Sequence, residues 1–485
     1  MINSILPSVF HRQFASFHQQ IERERERERE MMTMMMMTHT GPDFFSASGG
    51  ALSLSLTSCS FRHKSLRFFG RFDSNLDKNK KTPTRRMFKA SLITNSDSFE
   101  VGRLIGSYGF INITSYSGLQ LGLDIENSAG DVGRLRVQDV GEGNVKIRLY
   151  EGRIAQGPLR GTPVIFKVYP GQQVGGVEAD MMAANELNVH AFLQSSSKTV
   201  SQNLQILLGG FETKTGEQWL AFRNDGKYSA ADYAKVKSEK MSKLGGKNSW
   251  NPFEKELTIK RRRFFVIKLL HGALCGLAYM HDHDRLHQSL GPASVVLNTV
   301  DEKDAAYLVP RLRDLAFSVD IRGSGWWFIR ICNTLIALLL WMMGSDVSRY
   351  SQLEEGSGAL SEGLWRRASA AGAFTPMEKR AFGIADDIYE AGLLFAYLAF
   401  IPFCEAGIMD SLSLQRLLES TFRLDLEATR EYCLADDRLL EAVNFLDLGD
   451  GAGWELLQAM LNPDFRKRPI AEAVLNHRFM TGSVL

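Results

Sequence analysis

Apolar positions change rhythm along this chain, from short alternating runs to helical spacing. From about Phe99 to Gln138 the sequence is rich in Gly and Ser and carries alternations such as Phe110-Ile111-Asn112-Ile113-Thr114, which predict short strands and turns. Strand-like runs continue through Val145-Lys146-Ile147-Arg148-Leu149 and Pro163-Val164-Ile165-Phe166-Lys167-Val168. From about Gly176 onwards, apolar residues recur at helical spacing. The pattern predicts an α+β protein in which a small β-rich part precedes a larger helical one. One run stands apart. Trp326 to Met343 is nearly all apolar, interrupted by Arg330 and Asn333, and its length is near the lower limit for a membrane-spanning helix.

Composition narrows the function classes. At 485 residues the chain is long enough for a domain of about 250 to 300 residues plus extensions. Lys and Arg number 57 against 55 Asp and Glu, so no bulk charge draws the chain to nucleic acid or to an acidic membrane. The five cysteines, Cys59, Cys275, Cys332, Cys404 and Cys433, are widely spaced, form no C-x-x-C pair and suit a reducing compartment.

Residues 1–92 read as a leader rather than fold. Glu22 to Glu30 alternate Glu and Arg, a methionine run follows from Met31, and we expect the natural start within Met31 to Met37. From there to Arg71 the segment is rich in Ser and Thr, bears Arg62, Lys64, Arg67 and Arg71, and has the single acid Asp43. That composition predicts an organelle transit peptide, with chloroplast favoured by its hydroxyl content.

Several motifs carry a resemblance. Val140-Gly141-Glu142-Gly143-Asn144-Val145-Lys146 is similar to a glycine-rich phosphate loop whose third glycine position is taken by Lys146. Val164-Ile165-Phe166-Lys167 is similar to a strand carrying a nucleotide-binding lysine, and Glu186, in Ala183-Ala184-Asn185-Glu186-Leu187, is its candidate helical counter-charge. Taken together these segments resemble the eukaryotic-type protein kinases. Gly106-Ser107-Tyr108-Gly109 is a rival for the loop, set aside because it lies about sixty residues before Lys167. The competing reading of the charged pair leaves Lys167 snorkelling to water and Glu186 solvated on its helix.

The helical half extends the resemblance. Leu286-His287-Gln288-Ser289-Leu290-Gly291-Pro292-Ala293-Ser294-Val295-Val296-Leu297 has the length, apolar rhythm and proline of the kinase catalytic loop. By that resemblance the catalytic base position falls on Ser289, an adjacent basic position on Gly291 and a metal-binding position on Ser294, so the frame survives without its chemistry. Asp314, in Leu312-Arg313-Asp314-Leu315-Ala316-Phe317, falls where the family holds magnesium. Asp387 falls on the residue that braces the catalytic-loop backbone. Thr375-Pro376-Met377-Glu378 is a candidate for the A-P-E segment, with Arg468 the expected partner of Glu378. Arg261-Arg262-Arg263 is read as a solvated helix start.

The resemblance covers about Val140 to Met480 and implies a two-lobed kinase-like fold, with a β-rich N-lobe, a helical C-lobe, and ATP and Mg2+ as the cofactors. The expected layout is a leader at 1–92, a β-rich N-terminal extension at 93–138, an N-lobe at 139–225 and a C-lobe at 226–485 carrying a hydrophobic insert at 323–349. The nucleotide residues would be Gly141, Gly143, Lys167, Glu186 and Asp314, with Asp314 also the metal ligand. Three function classes follow. The first is a plastid pseudokinase that acts as scaffold or regulator on a protein partner. The second is an atypical kinase using Asp282 or Asp284 as base. The third is a structural protein in peripheral contact with a membrane through 326–343.

Overall fold

The computed structural model describes residues 92–113, 135–139, 145–196, 200–244, 252–322 and 361–481. The chain divides into two units, Met1–Arg86 and Met87–Leu485, and the first lies wholly outside the described residues, as does the insert at 323–349. The second unit is α+β, with an antiparallel sheet in its N-terminal part and helices through the rest.

Six strands form the sheet in the order β2-β1-β3-β4-β6-β5: β1 Phe99–Ile113, β2 Leu135–Asp139, β3 Ile147–Ile154, β4 Pro163–Tyr169, β5 Leu207–Glu212 and β6 Gln218–Arg223. The segment 93–138, expected as an extension, therefore supplies two strands of this sheet. The strands flanking Gly141 and Gly143 are not neighbours, because β1 lies between β2 and β3. Neither glycine is among the described residues.

β4 is buried along almost its whole length, which is why it reads as an apolar run interrupted by Lys167. Val164, Phe166 and Val168 pack with Phe99, Ile154 and Ala221 under the partly buried aromatics Tyr150, Phe211 and Trp219. The alternation of the strand sends Lys167 and Tyr169 to the opposite face. There α1, Gln172–Ser196, crosses after β4, with Met181, Met182 and Ala183 in the core it shares with Tyr169, Leu220 and Phe222.

The helical part is organised by α2, Ala230–Leu244, by α3, Pro252–Asp282, and by α4, Pro376–Phe400. α3 is long and apolar enough to cross a membrane, but 67% of its apolar window is buried inside the protein, as suits a core helix. Two expectations fail in this part. Arg262 is not solvated: only 1% exposed, it donates to Glu302 at 2.9 Å and to the carbonyl of Pro402 at 2.7 Å, and Lys237 and Tyr233 also face Glu302. A buried guanidinium needs such partners, and the residue triplet conceals which of its three arginines faces inward.

The expected Glu378–Arg468 pair does not form either. Thr375 and Glu378 make a reciprocal capping box at the start of α4, with Pro376 in the first turn. The Glu378 carboxylate accepts from the backbone of Phe374 and Thr375 and from the Thr375 hydroxyl. Arg468 instead donates to the carbonyls of Asn462 and Ala385 and lies over the Tyr389 ring. The four residues taken for a family motif are an ordinary helix start.

Candidate functional site

Lys167 sits in mid-sheet, paired across to Leu149 on β3 and to Leu220 on β6. Its Nζ lies 2.7 Å from Glu186 Oε2 and 2.7 Å from Asp314 Oδ1. All three groups are buried, at 4%, 1% and 0% exposure, which excludes the reading of two solvated ends. Two tyrosines complete the cluster. Tyr108 on β1 donates to Asp314 Oδ1 at 2.7 Å, and the Tyr169 hydroxyl donates to Glu186 Oε2.

Neither tyrosine was singled out by sequence. The Gly106–Gly109 segment, set aside for its distance along the chain, is part of β1, where Gly106 pairs with Leu149 and so stands two strands from Lys167. Chain separation misled because β2 belongs to the intervening excursion.

Asp314 follows the short strand Arg311–Leu312 and adopts the left-handed conformation, φ 66°, before one tight turn at Leu315–Phe317. A non-glycine residue there is strained unless its surroundings hold it. Asn185, next to Glu186 on α1, donates to the carbonyls of Ala316 and Ser318 and so fastens this turn to the helix. Burial would raise the Asp314 carboxyl, but Lys167, Arg313 and the Tyr108 hydroxyl outweigh it and hold the group below its ordinary range. Tyr108 and Tyr169 are pushed far above the ordinary phenol value, first by burial and then by the neighbouring carboxylates, so both remain donors.

The loop from Leu286 to Ser294 is braced from α4. Asp387, fully buried, accepts from the backbone of His287 at 2.7 Å and of Gln288 at 3.0 Å, from the Gln288 side chain at 3.0 Å, and lies 2.9 Å from His281 Nε2. Burial acts to raise its carboxyl, and these bonds bring it below the usual carboxylate range. His287 Nε2 lies 3.0 Å from the carbonyl of Arg313, so that nitrogen carries the proton, and burial keeps the ring neutral. Its Nδ1 then accepts from the Ser289 N–H at 3.3 Å.

The Ser289 and Ser294 hydroxyls both donate to backbone carbonyls, and Ser289 Oγ also lies 3.4 Å from His287 Nδ1. The Ser289 hydroxyl donates to the carbonyl of Asp314 at 3.0 Å. Ser294 exchanges two bonds of 2.8 Å with Gly291, donating to its carbonyl and accepting from its N–H. Asp284, the alternative base, is in an ion pair with Arg380 at the start of α4; Asp282 is exposed at the end of α3.

The donor set does not fit a bound Mg2+. Such an ion keeps several of its waters and is held by one or two carboxylates with free oxygens, and here the one carboxylate on offer is that of Asp314. Asp314 Oδ1 already receives Lys167 and Tyr108, Ser294 is engaged with Gly291, and only Asp314 Oδ2, buried and without a hydrogen-bond partner, is left. Among the described residues no group of three or more His, Cys, Asp or Glu is placed to hold a metal.

His190, one turn beyond Glu186 on α1, is buried against Phe222 with its Nε2 unpartnered. Burial, reinforced by Lys167, lowers its pKa to about 3. A base whose folded pKa is depressed contributes stability above its unfolded value of 6.5 and loses it as pH falls towards the folded one. Between pH 7.5 and 5 this group should remove about 2 kcal/mol, and His190→Leu should flatten that fall in chemical denaturation. An unchanged pH dependence would mean that the ring charges in the folded state.

No family model matches the chain, and no curated protein matches it in sequence.

Proposed function

We propose that this chain is a protein-kinase-like pseudokinase, a scaffold or regulator that binds nucleotide weakly or not at all. In this reading the sheet with α1 is an N-lobe, the helical part is a C-lobe, and the cleft between them is marked by Lys167, Glu186 and Asp314. The observation that carries it is a convergence followed by a loss. A strand lysine, a helix glutamate and a turn aspartate, 147 residues apart at their extremes, meet within hydrogen-bond distance in the order the family uses. The hydroxyls at the base and second metal positions, Ser289 and Ser294, are meanwhile tied to backbone carbonyls.

A serine near pH 7 cannot take a proton from a substrate hydroxyl as a carboxylate can. One bound in this way is not free to try. Asp284 is committed to Arg380, which weighs against the atypical-kinase alternative. The Ser-rich, acid-poor leader supports a plastid location, and the near-neutral charge supports a protein partner rather than nucleic acid. The hydrophobic stretch at 326–343, the basis of a membrane reading, lies outside the described residues.

The purified full chain should transfer no radiolabelled phosphate from ATP to itself or to generic protein substrates, with Mg2+ or Mn2+. Ser289→Asp alone should not create transfer, because the second metal position is still Ser294. Robust transfer by the unmodified chain, abolished by Asp314→Asn or by Asp284→Asn, would refute the pseudokinase reading and favour the atypical kinase.

A further inference from the structure

We propose that Tyr108 is the residue that closes Asp314 to divalent cations, its hydroxyl standing in the coordination position a metal would need. The inference deepens the pseudokinase reading and rests on it for the identity of the cleft. Its physical basis is local. Asp314 Oδ1 is shared by Lys167 and Tyr108 at 2.7 Å each. The other oxygen, Oδ2, is buried, makes no hydrogen bond and has Arg313 Nε at 3.3 Å. A cation reaching this carboxylate must therefore displace the one uncharged donor, which is Tyr108.

The ring is held for the purpose. It is 3% exposed, it meets Phe110 edge to face at 5.8 Å, and Lys167 and Arg313 lie 5.7 and 5.9 Å from its centroid. Two cations near the ring add attraction to the hydrogen bond. The loss of metal binding thus has two separable sources. Ser294 removes a ligand, while Tyr108 blocks the ligand that is left. β1 also has the means to yield, since its register against β3 shifts twice just before Tyr108, between Val101 and Leu104 and between Leu104 and Gly106.

The test is Mn2+ titration of the full chain, read by loss of the free-ion electron paramagnetic resonance signal and by thermal shift. Tyr108→Phe keeps the ring and deletes only the hydroxyl, and Tyr108→Met provides a second variant of similar fill should the first fold poorly. Either should bind Mn2+ at least about tenfold more tightly than the unmodified chain, since a hydrogen bond to a charged acceptor no longer competes. Asp314→Asn added to either variant should erase the gain. Equal affinity in the unmodified chain and both variants would overturn the proposal, as would a gain that survives Asp314→Asn. Metal-free ATP titrated in parallel reads the nucleotide cleft separately. A Mn2+ gain upholds the role of Tyr108 whether or not ATP binds, whereas ATP binding without a Mn2+ gain supports the cleft and overturns that role.

Discussion

Lys167→Met should lower the free energy of unfolding by about 3 to 5 kcal/mol, whether or not nucleotide is present. In an open nucleotide site the same change would cost ligand affinity and little else. Here Lys167 is buried between two buried carboxylates, and its removal strands both. Arg313, at 3.3 Å, and the Tyr108 hydroxyl, at 2.7 Å, would remain near the Asp314 carboxylate, and the Tyr169 hydroxyl near Glu186. Neutralising the stranded acids should restore much of the loss, so Lys167→Met with Glu186→Gln and Asp314→Asn should be more stable than Lys167→Met alone. Urea unfolding of the three proteins decides it. A loss under about 1 kcal/mol would place Lys167 in water, where ion pairs are worth that little.

The second large effect belongs to Asp387. Asp387→Ala leaves the N–H groups of His287 and Gln288, the Gln288 amide and the His281 ring without their acceptor in a site that water does not reach. Stranded buried donors cost about 1 to 3 kcal/mol each, and partial relaxation of the loop should hold the total to about 3 to 5 kcal/mol. Gln288 is also in the left-handed conformation, φ 58°, and loses a bond that keeps it there. Arg367, which donates to the Gln288 side chain, should be displaced with it. Unfolding by denaturant, with hydrogen exchange at His287 and Gln288, measures both consequences. Protected amides in the variant would show that the loop is held from elsewhere.

How much of this could be read from sequence depended on the kind of interaction. β4 was legible because burial on both faces writes an apolar run, and a lysine interrupting such a run has to find a counter-charge. The spacing from Lys167 to Glu186 reflects a strand end, a turn and about four helical turns, all local quantities. Tyr108 was not legible. Its partner Asp314 is 206 residues away, and no periodicity in β1 says which of its alternating residues meets a carboxylate. Arg262 was hidden in a triplet of arginines for a similar reason, since helical phase decides burial and Arg261 and Arg263 share its composition but not its direction. Thr375 to Glu378 failed differently. A capping box and a family motif use the same letters, and the local physics of the helix end is the sufficient explanation.

The charges around Lys167 sum to zero within the chain: Lys167 and Arg313 against Glu186 and Asp314, with the tyrosine hydroxyls protonated. A cluster balanced in this way needs no phosphate to hold its strand, helix and turn together. Its arrangement is then constitutive, the same in an energy-starved compartment as in one rich in adenylate. On the proposed reading, such a chain holds an assembly in place and does not report on the nucleotide pool around it.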